Sequence, residues 1–233
     1  MNVSIENQVV WLTPERTGSS ITKKILENYN FFTKRKKNDF KLVDFRSDSQ
    51  SHENTIYEEY KDFKIIVNVR NPYDRVFGCY QKYFLEKPIL KNELNYAEKF
   101  RNFISKTFYF HGSYVFMGPR YDDVQNFYEK WIFDKVNVDY LIKMESLETD
   151  IFRLPFIRQD EVEKKRISDL LEENPFKNER YRSFLDVYDF KSAKLVYEFF
   201  KPWFYKFEYS PFSFTNKELS EQEKISFIHS QIQ

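Results

Sequence analysis

A chain of 233 residues, 41% of them hydrophobic, with 26 Phe and 17 Tyr, can bury a sizeable core, so residues 1–233 are expected to form a single globular domain and not a disordered polymer. Its 37 basic and 36 acidic side chains nearly cancel, which excludes a whole-molecule field drawing it onto nucleic acid or an anionic membrane. The lone Cys79 excludes an intrachain disulfide or a cysteine metal cluster, the opening MNVSIENQVVWL lacks the basic start and apolar length of a signal peptide, and no segment has membrane-spanning length; the expectation is a soluble cytoplasmic protein.

Residues 9–13 (VVWLT) are a short continuous apolar run, the pattern of a strand buried on both faces. After Gly18, ITKKILENY places Ile21, Ile25 and Leu26 on one helical face, so residues 9–29 read strand, tight turn, helix. The basic run Lys34-Arg35-Lys36-Lys37 is a solvated loop or a local patch for an anionic substrate. KLVDFR (41–46) predicts a second strand, and KIIVNVR (64–70), rich in β-branched residues, a stronger one. Asn71-Pro72 opens a helix that runs on through RVFGCYQKYF, where Tyr80, Tyr83 and Phe84 read as core packing. Residues 94–108 read helical. DYLIKM (139–144) predicts a further strand, followed by the helical ESLETDIF. Residues 160–173 predict a charged helix and 191–205 an aromatic one. Strands alternating with helices predict an α/β fold, a central parallel sheet flanked by helices. Ligands of such sheets bind at the carboxyl ends of the strands, where the turns after Thr13 and Arg70 would lie.

The first of these turns, Pro14-Glu15-Arg16-Thr17-Gly18-Ser19-Ser20, has the makings of an anion cradle. A helix N-terminus offers unpaired N–H groups and partial positive charge, a glycine lets backbone approach an anion, two serines add hydroxyls, and Arg16 adds a fixed forked cation. The alternative is an ordinary strand-to-helix turn in which Gly18 supplies a backbone angle and Ser19 caps the helix. The turn is not the triphosphatase loop G-x-x-x-x-G-K-[ST], because no lysine follows Gly18. Arg70 ends the KIIVNVR strand and would lie beside the first turn if the two strands are neighbours; otherwise it is a surface residue at a strand end.

Taken together, the two turns resemble the motifs of the PAPS-dependent sulfotransferases, PAPS being 3′-phosphoadenosine 5′-phosphosulfate. Pro14, Arg16, Thr17, Gly18, Ser19 and Ser20 match a pattern close to P-[KR]-[ST]-G-[ST]-[ST]. Val69, Arg70, Asn71, Pro72, Arg75 and Tyr80 match one near V-R-[ND]-P-x-x-R-x-x-S-x-Y. Residues 139–152 and 182–214 resemble later segments of the family, so the resemblance covers roughly residues 8–214. Glu15 is one residue extra in the first motif, and Gly78 stands where the second motif has its phosphate-binding serine.

The resemblance implies a P-loop-like three-layer sandwich and transfer of a sulfuryl group from PAPS to an acceptor hydroxyl, with no metal. Arg16, Thr17, Gly18, Ser19 and Ser20 would hold the 5′-phosphosulfate, Arg16 also stabilising charge on the departing phosphate. Arg70, with the Gly78 position, would meet the 3′-phosphate, helped by a backbone N–H or a basic residue from 177–182. The base for the acceptor would be His52, in an interval where some carbohydrate sulfotransferases place a base histidine; a solvated loop histidine is the alternative. His111 and Glu53 stand next, and His229 is given no role. A carbohydrate acceptor ranks before lipid and small-molecule hydroxyls, with residues 31–60 and 86–125 shaping its pocket. Two other readings stay open: a P-loop kinase or hydrolase, disfavoured by the missing lysine, and a non-catalytic nucleotide-binding protein, kept alive by Gly78. Oligomeric state is not legible.

Overall fold

The computed structural model describes residues 2–14, 16–29, 60–83, 95–110, 137–173 and 183–230. The expected strand at 41–46 lies outside them. The chain divides into two compact units: Met1–Arg70 with Asp123–Pro175, and Asn71–Asp122 with Phe176–Gln233.

The first unit is mixed α/β. Its described strands are β1 (Asn2–Ser4), β2 (Val9–Leu12), β3 (Lys64–Val69) and β4 (Tyr140–Lys143), hydrogen-bonded in that order. β2, β3 and β4 run parallel, with Leu12 beside Val67 and Val69 beside Lys143. β1 adds an antiparallel edge to β2, which the sequence reading did not foresee; three residues, NVS, carry no alternation long enough to read. The hairpin turn between them uses Gln8 in the left-handed region, φ 51°.

Helices cover this sheet because its strands alternate apolar side chains to both faces. Val9, Trp11, Ile66 and Ile142 point to one face, where they form a core with Ile25 and Leu26 of α1 (Ser19–Leu26), Leu147 of α4 (Leu147–Asp150) and Ile167 and Leu171 of α5 (Glu161–Glu172). Val10, Leu12, Val67 and Val69 point to the other face and are buried too, which is why the strands read as unbroken apolar runs. Each such aliphatic burial stabilises by roughly 1.5–3 kcal/mol. The expected helix ESLETDIF is a composite: 3₁₀ turns at Met144–Ser146 and Ile151–Arg153 flank α4. Asp150 holds it to the end of β4, accepting from Lys143 N at 2.9 Å and Ser146 Oγ at 2.7 Å.

The second unit is helical where described: α2 (Pro72–Tyr83), α3 (Tyr96–Phe110), α6 (Phe190–Phe199), α7 (Lys201–Lys206) and α8 (Glu221–His229). Pro72 opens α2 with its φ preset for a helix, and Asn71 Oδ1 accepts from Tyr73 N at 3.0 Å. The single helix expected at 191–205 breaks at Phe200 (φ −96°, ψ 16°). Pro202 has no N–H to return to the preceding turn, so α7 restarts there. Rings fill this core. Tyr73 packs edge-on against Tyr188 and Phe214, and the Arg75 guanidinium lies 4.7 Å from the Trp203 ring centroid. The α8 helix was also unforeseen. Its capping box, Ser220 with Glu223, was readable, but only Phe227 of its side chains is buried.

Candidate functional site

The turn after β2 stands at the carboxyl edge of the sheet, as expected for a ligand site in an α/β fold. Beyond Leu12 the chain passes Thr13 and Pro14, enters the left-handed region at Arg16 (φ 64°) and again at Gly18 (φ 83°, ψ 19°), then starts α1 at Ser19. Gly18 is the N-cap, so Ser19 is the first helical residue and not the cap. Among the described residues no side chain caps this helix. Among the described residues, the N–H groups of Gly18, Ser19 and Ser20 and the two serine hydroxyls donate to nothing. The first turn of α1 therefore keeps its donors and its share of positive helix dipole.

Two constraints select glycine at 18. Its φ is one that side chains rarely adopt, and an added Cβ would fall 1.8 Å from Met144 Sδ. Met144 follows β4 directly, so the loop is pressed against the neighbouring strand end. Thr17, fully buried, is spent on the loop itself: its hydroxyl donates to Pro14 O at 2.6 Å and its N–H to the same oxygen at 3.3 Å. Its contribution is therefore to shape the turn. Among the described residues, the N–H donors without an acceptor begin at Gly18.

Arg70 follows β3, and β3 is the parallel neighbour of β2. The expected juxtaposition holds: Arg70 Nη1 approaches Arg16 O at 3.5 Å, a long and weak hydrogen bond. Two guanidinium residues and an open helix start thus belong to one strand edge of one unit.

A residue the sequence reading passed over organises this edge. Asn68, in β3, is fully buried and bonds Trp11, Thr17 and Thr22. Its signal was present: a lone amide inside the apolar run KIIVNV.

The far end of α1 is fastened by a charged cluster. Glu163, fully buried, accepts from Tyr29 Oη at 2.6 Å, from Arg158 Nη2 at 3.3 Å and from Arg166 Nε at 2.9 Å and Nη2. Arg166 Nη2 also donates to Ile25 O of α1 at 3.1 Å. The Arg166 guanidinium, helped by Tyr29 and Arg158, holds the Glu163 carboxyl down to about 2 against the cost of burial.

Of the other anticipated residues, Gly78 lies in the second unit, buried within α2. His229, also there, is exposed in the last turn of α8. His52, Glu53, His111, the run 34–37 and residues 177–182 lie outside the described residues. Among the described residues no cluster of three or more His, Cys, Asp or Glu is placed to hold a metal, and no helix is long and apolar enough to cross a membrane. No protein-family model, curated protein or solved structure matched the chain.

Proposed function

We propose that this chain is a PAPS-dependent sulfotransferase with a P-loop-like three-layer fold, transferring a sulfuryl group to an acceptor hydroxyl, a carbohydrate by preference. The observation that carries the reading is the pairing, on adjacent parallel strands, of an uncapped helix start bearing Arg16, Gly18, Ser19 and Ser20 with Arg70 at the next strand end. The donor set suits a phosphosulfate: main-chain N–H groups, two hydroxyls and fixed cations, with no lysine after the glycine to serve a triphosphate.

PAPS, when bound, supplies a sulfuryl group whose S–O bond to the nucleotide breaks as the bond to the acceptor oxygen forms. The chain's part is electrostatic and positional. The Gly18, Ser19 and Ser20 N–H groups and the serine hydroxyls hold the 5′-phosphate. Arg16 neutralises charge as it grows on that phosphate. Arg70 holds the 3′-phosphate. The acceptor's proton passes to a base, for which His52 is the candidate.

Calorimetry against adenosine 3′,5′-bisphosphate and against ATP with magnesium tests the binding half. The bisphosphate should bind at least about a hundredfold more tightly, a difference of ~2.7 kcal/mol. Transfer of labelled sulfate from PAPS to an acceptor panel tests the chemical half. Tighter binding of ATP, or bisphosphate binding with no transfer to any acceptor, sinks the proposal.

A further inference from the structure

We propose that Asn68 is the positioning residue of the anion loop, the group that decides which way the Gly18 N–H points; this rests on reading the loop as an anion cradle. A buried amide costs free energy unless its atoms are bonded, and Asn68, 0% exposed, is bonded at both ends. Oδ1 accepts from Trp11 Nε1 at 2.8 Å. Nδ2 donates to Thr22 Oγ1 at 2.7 Å and to Thr17 O at 3.3 Å. One side chain thus ties β2, the loop and α1 together.

The Thr17 bond has a consequence for the next donor. The peptide joining Thr17 to Gly18 is planar and trans, so the Thr17 carbonyl and the Gly18 N–H point in opposite directions. With the carbonyl drawn toward Asn68, the N–H is aimed away from β3. Among the described residues nothing accepts from it. A flip of this one peptide would turn a carbonyl oxygen toward an anion in place of a donor. Glycine tolerates the backbone angles of either arrangement, so the loop needs a lock. The β-branched residue that the strand pattern favours at position 68 could not supply one.

Thr17-Gly18 is the chain's one Thr-Gly pair, so ¹³C-carbonyl threonine with ¹⁵N-glycine isolates the Gly18 amide in an NMR spectrum of the full chain. Sulfate and adenosine 3′,5′-bisphosphate are then titrated in. In the wild type either anion moves the Gly18 proton downfield. In Asn68→Ala the movement is lost and the sulfate Kd rises by about tenfold or more, whereas Thr22→Val, which leaves the Thr17 bond, stays within about threefold. Asn68→Asp gives a signature that structural damage alone would not. Its buried carboxyl, once ionised, puts negative charge under the loop, so sulfate affinity falls with rising pH relative to the wild-type profile. Should Asn68→Ala not fold, that pH slope decides. Wild-type response in Asn68→Ala, a wild-type pH profile in Asn68→Asp, or a Gly18 amide that no anion moves, overturns the positioning role. An Asn68-dependent response to sulfate with no tighter binding of the bisphosphate leaves the positioning role standing and removes the nucleotide reading.

Discussion

At its carboxyl end α1 is tied down: Arg166 reaches the Ile25 carbonyl and is itself held by a buried carboxylate that also takes Tyr29 and Arg158. At its amino end the same helix has a left-handed glycine and, among the described residues, no side-chain cap and no acceptor for its first N–H groups. The starts of three other helices are closed by side chains, Asp160 on α5, Asp189 on α6 and Ser220 on α8, whereas the short α4 and α7, among the described residues, carry no side-chain cap either. A glycine N-cap costs only a few tenths of a kcal/mol against a capping side chain, so α1 keeps its first-turn donors open at little expense. The difference teaches where to look for function: not at the densest charge cluster, which is satisfied, but at the sparse end.

Glu163→Ala should break the braced end with the largest effect. It strands Tyr29 and Arg166 without their acceptor, a loss of about 3 kcal/mol by urea unfolding, of which the largely exposed Arg158 carries little. The same carboxylate gives the unit an acid limb. Its pKa is depressed in the folded state, so its stabilisation is complete above about pH 4.5 and is lost progressively as the pH falls toward 2. Glu163→Gln should flatten that limb in thermal scans.

Gly18→Ala attacks the open end. A left-handed alanine costs roughly 1–2 kcal/mol, and displacing Met144 adds to it. Met144→Ala in the same chain should remove the second share only; a purely additive double-mutant cycle would show that the close approach carries no energy. Arg16→Gly separates fold from function. It relieves a left-handed side chain, so stability should hold or rise by about 1 kcal/mol while bisphosphate affinity falls by about tenfold or more. Unchanged affinity would remove Arg16 from the site. Last, Ser220→Ala should cost α8 about 1 kcal/mol, whereas Ser19→Ala, which caps nothing, should leave unfolding unchanged and weaken the bisphosphate.

How much of this the sequence disclosed follows from where the information is local. VVWLT, KIIVNVR and DYLIKM gave the parallel strands within a residue or so, because strands buried on both faces are apolar throughout. The turn residues named their own turn. What escaped was decided at a distance. β1 exists because β2 offers it an edge. The break at Phe200 needed the weight of Pro202 against an otherwise periodic stretch. Asn68 was passed over because an amide in a strand states a need for partners without saying which, and its partners, Trp11, Thr17 and Thr22, lie 46 to 57 residues away along the chain. Thr17 was expected among the groups holding the phosphosulfate, yet its N–H and its hydroxyl both turn to Pro14 O.

The strand register carries one more consequence, for the order of events in folding. β1 and β2 are joined by residues 5–8 alone, but β3 meets β2 with Lys64 beside Val9 and meets β4 with Tyr140 beside Ile66. Closing such long intervals costs entropy before any contact offsets it, so β3 docks late. Since β3 delivers the amide that sets the loop, recognition should emerge only near the end of refolding. Pulsed hydrogen exchange checks the sequence: the Val9 and Trp11 amides, which face β1, should gain protection before those of Val67 and Asn68.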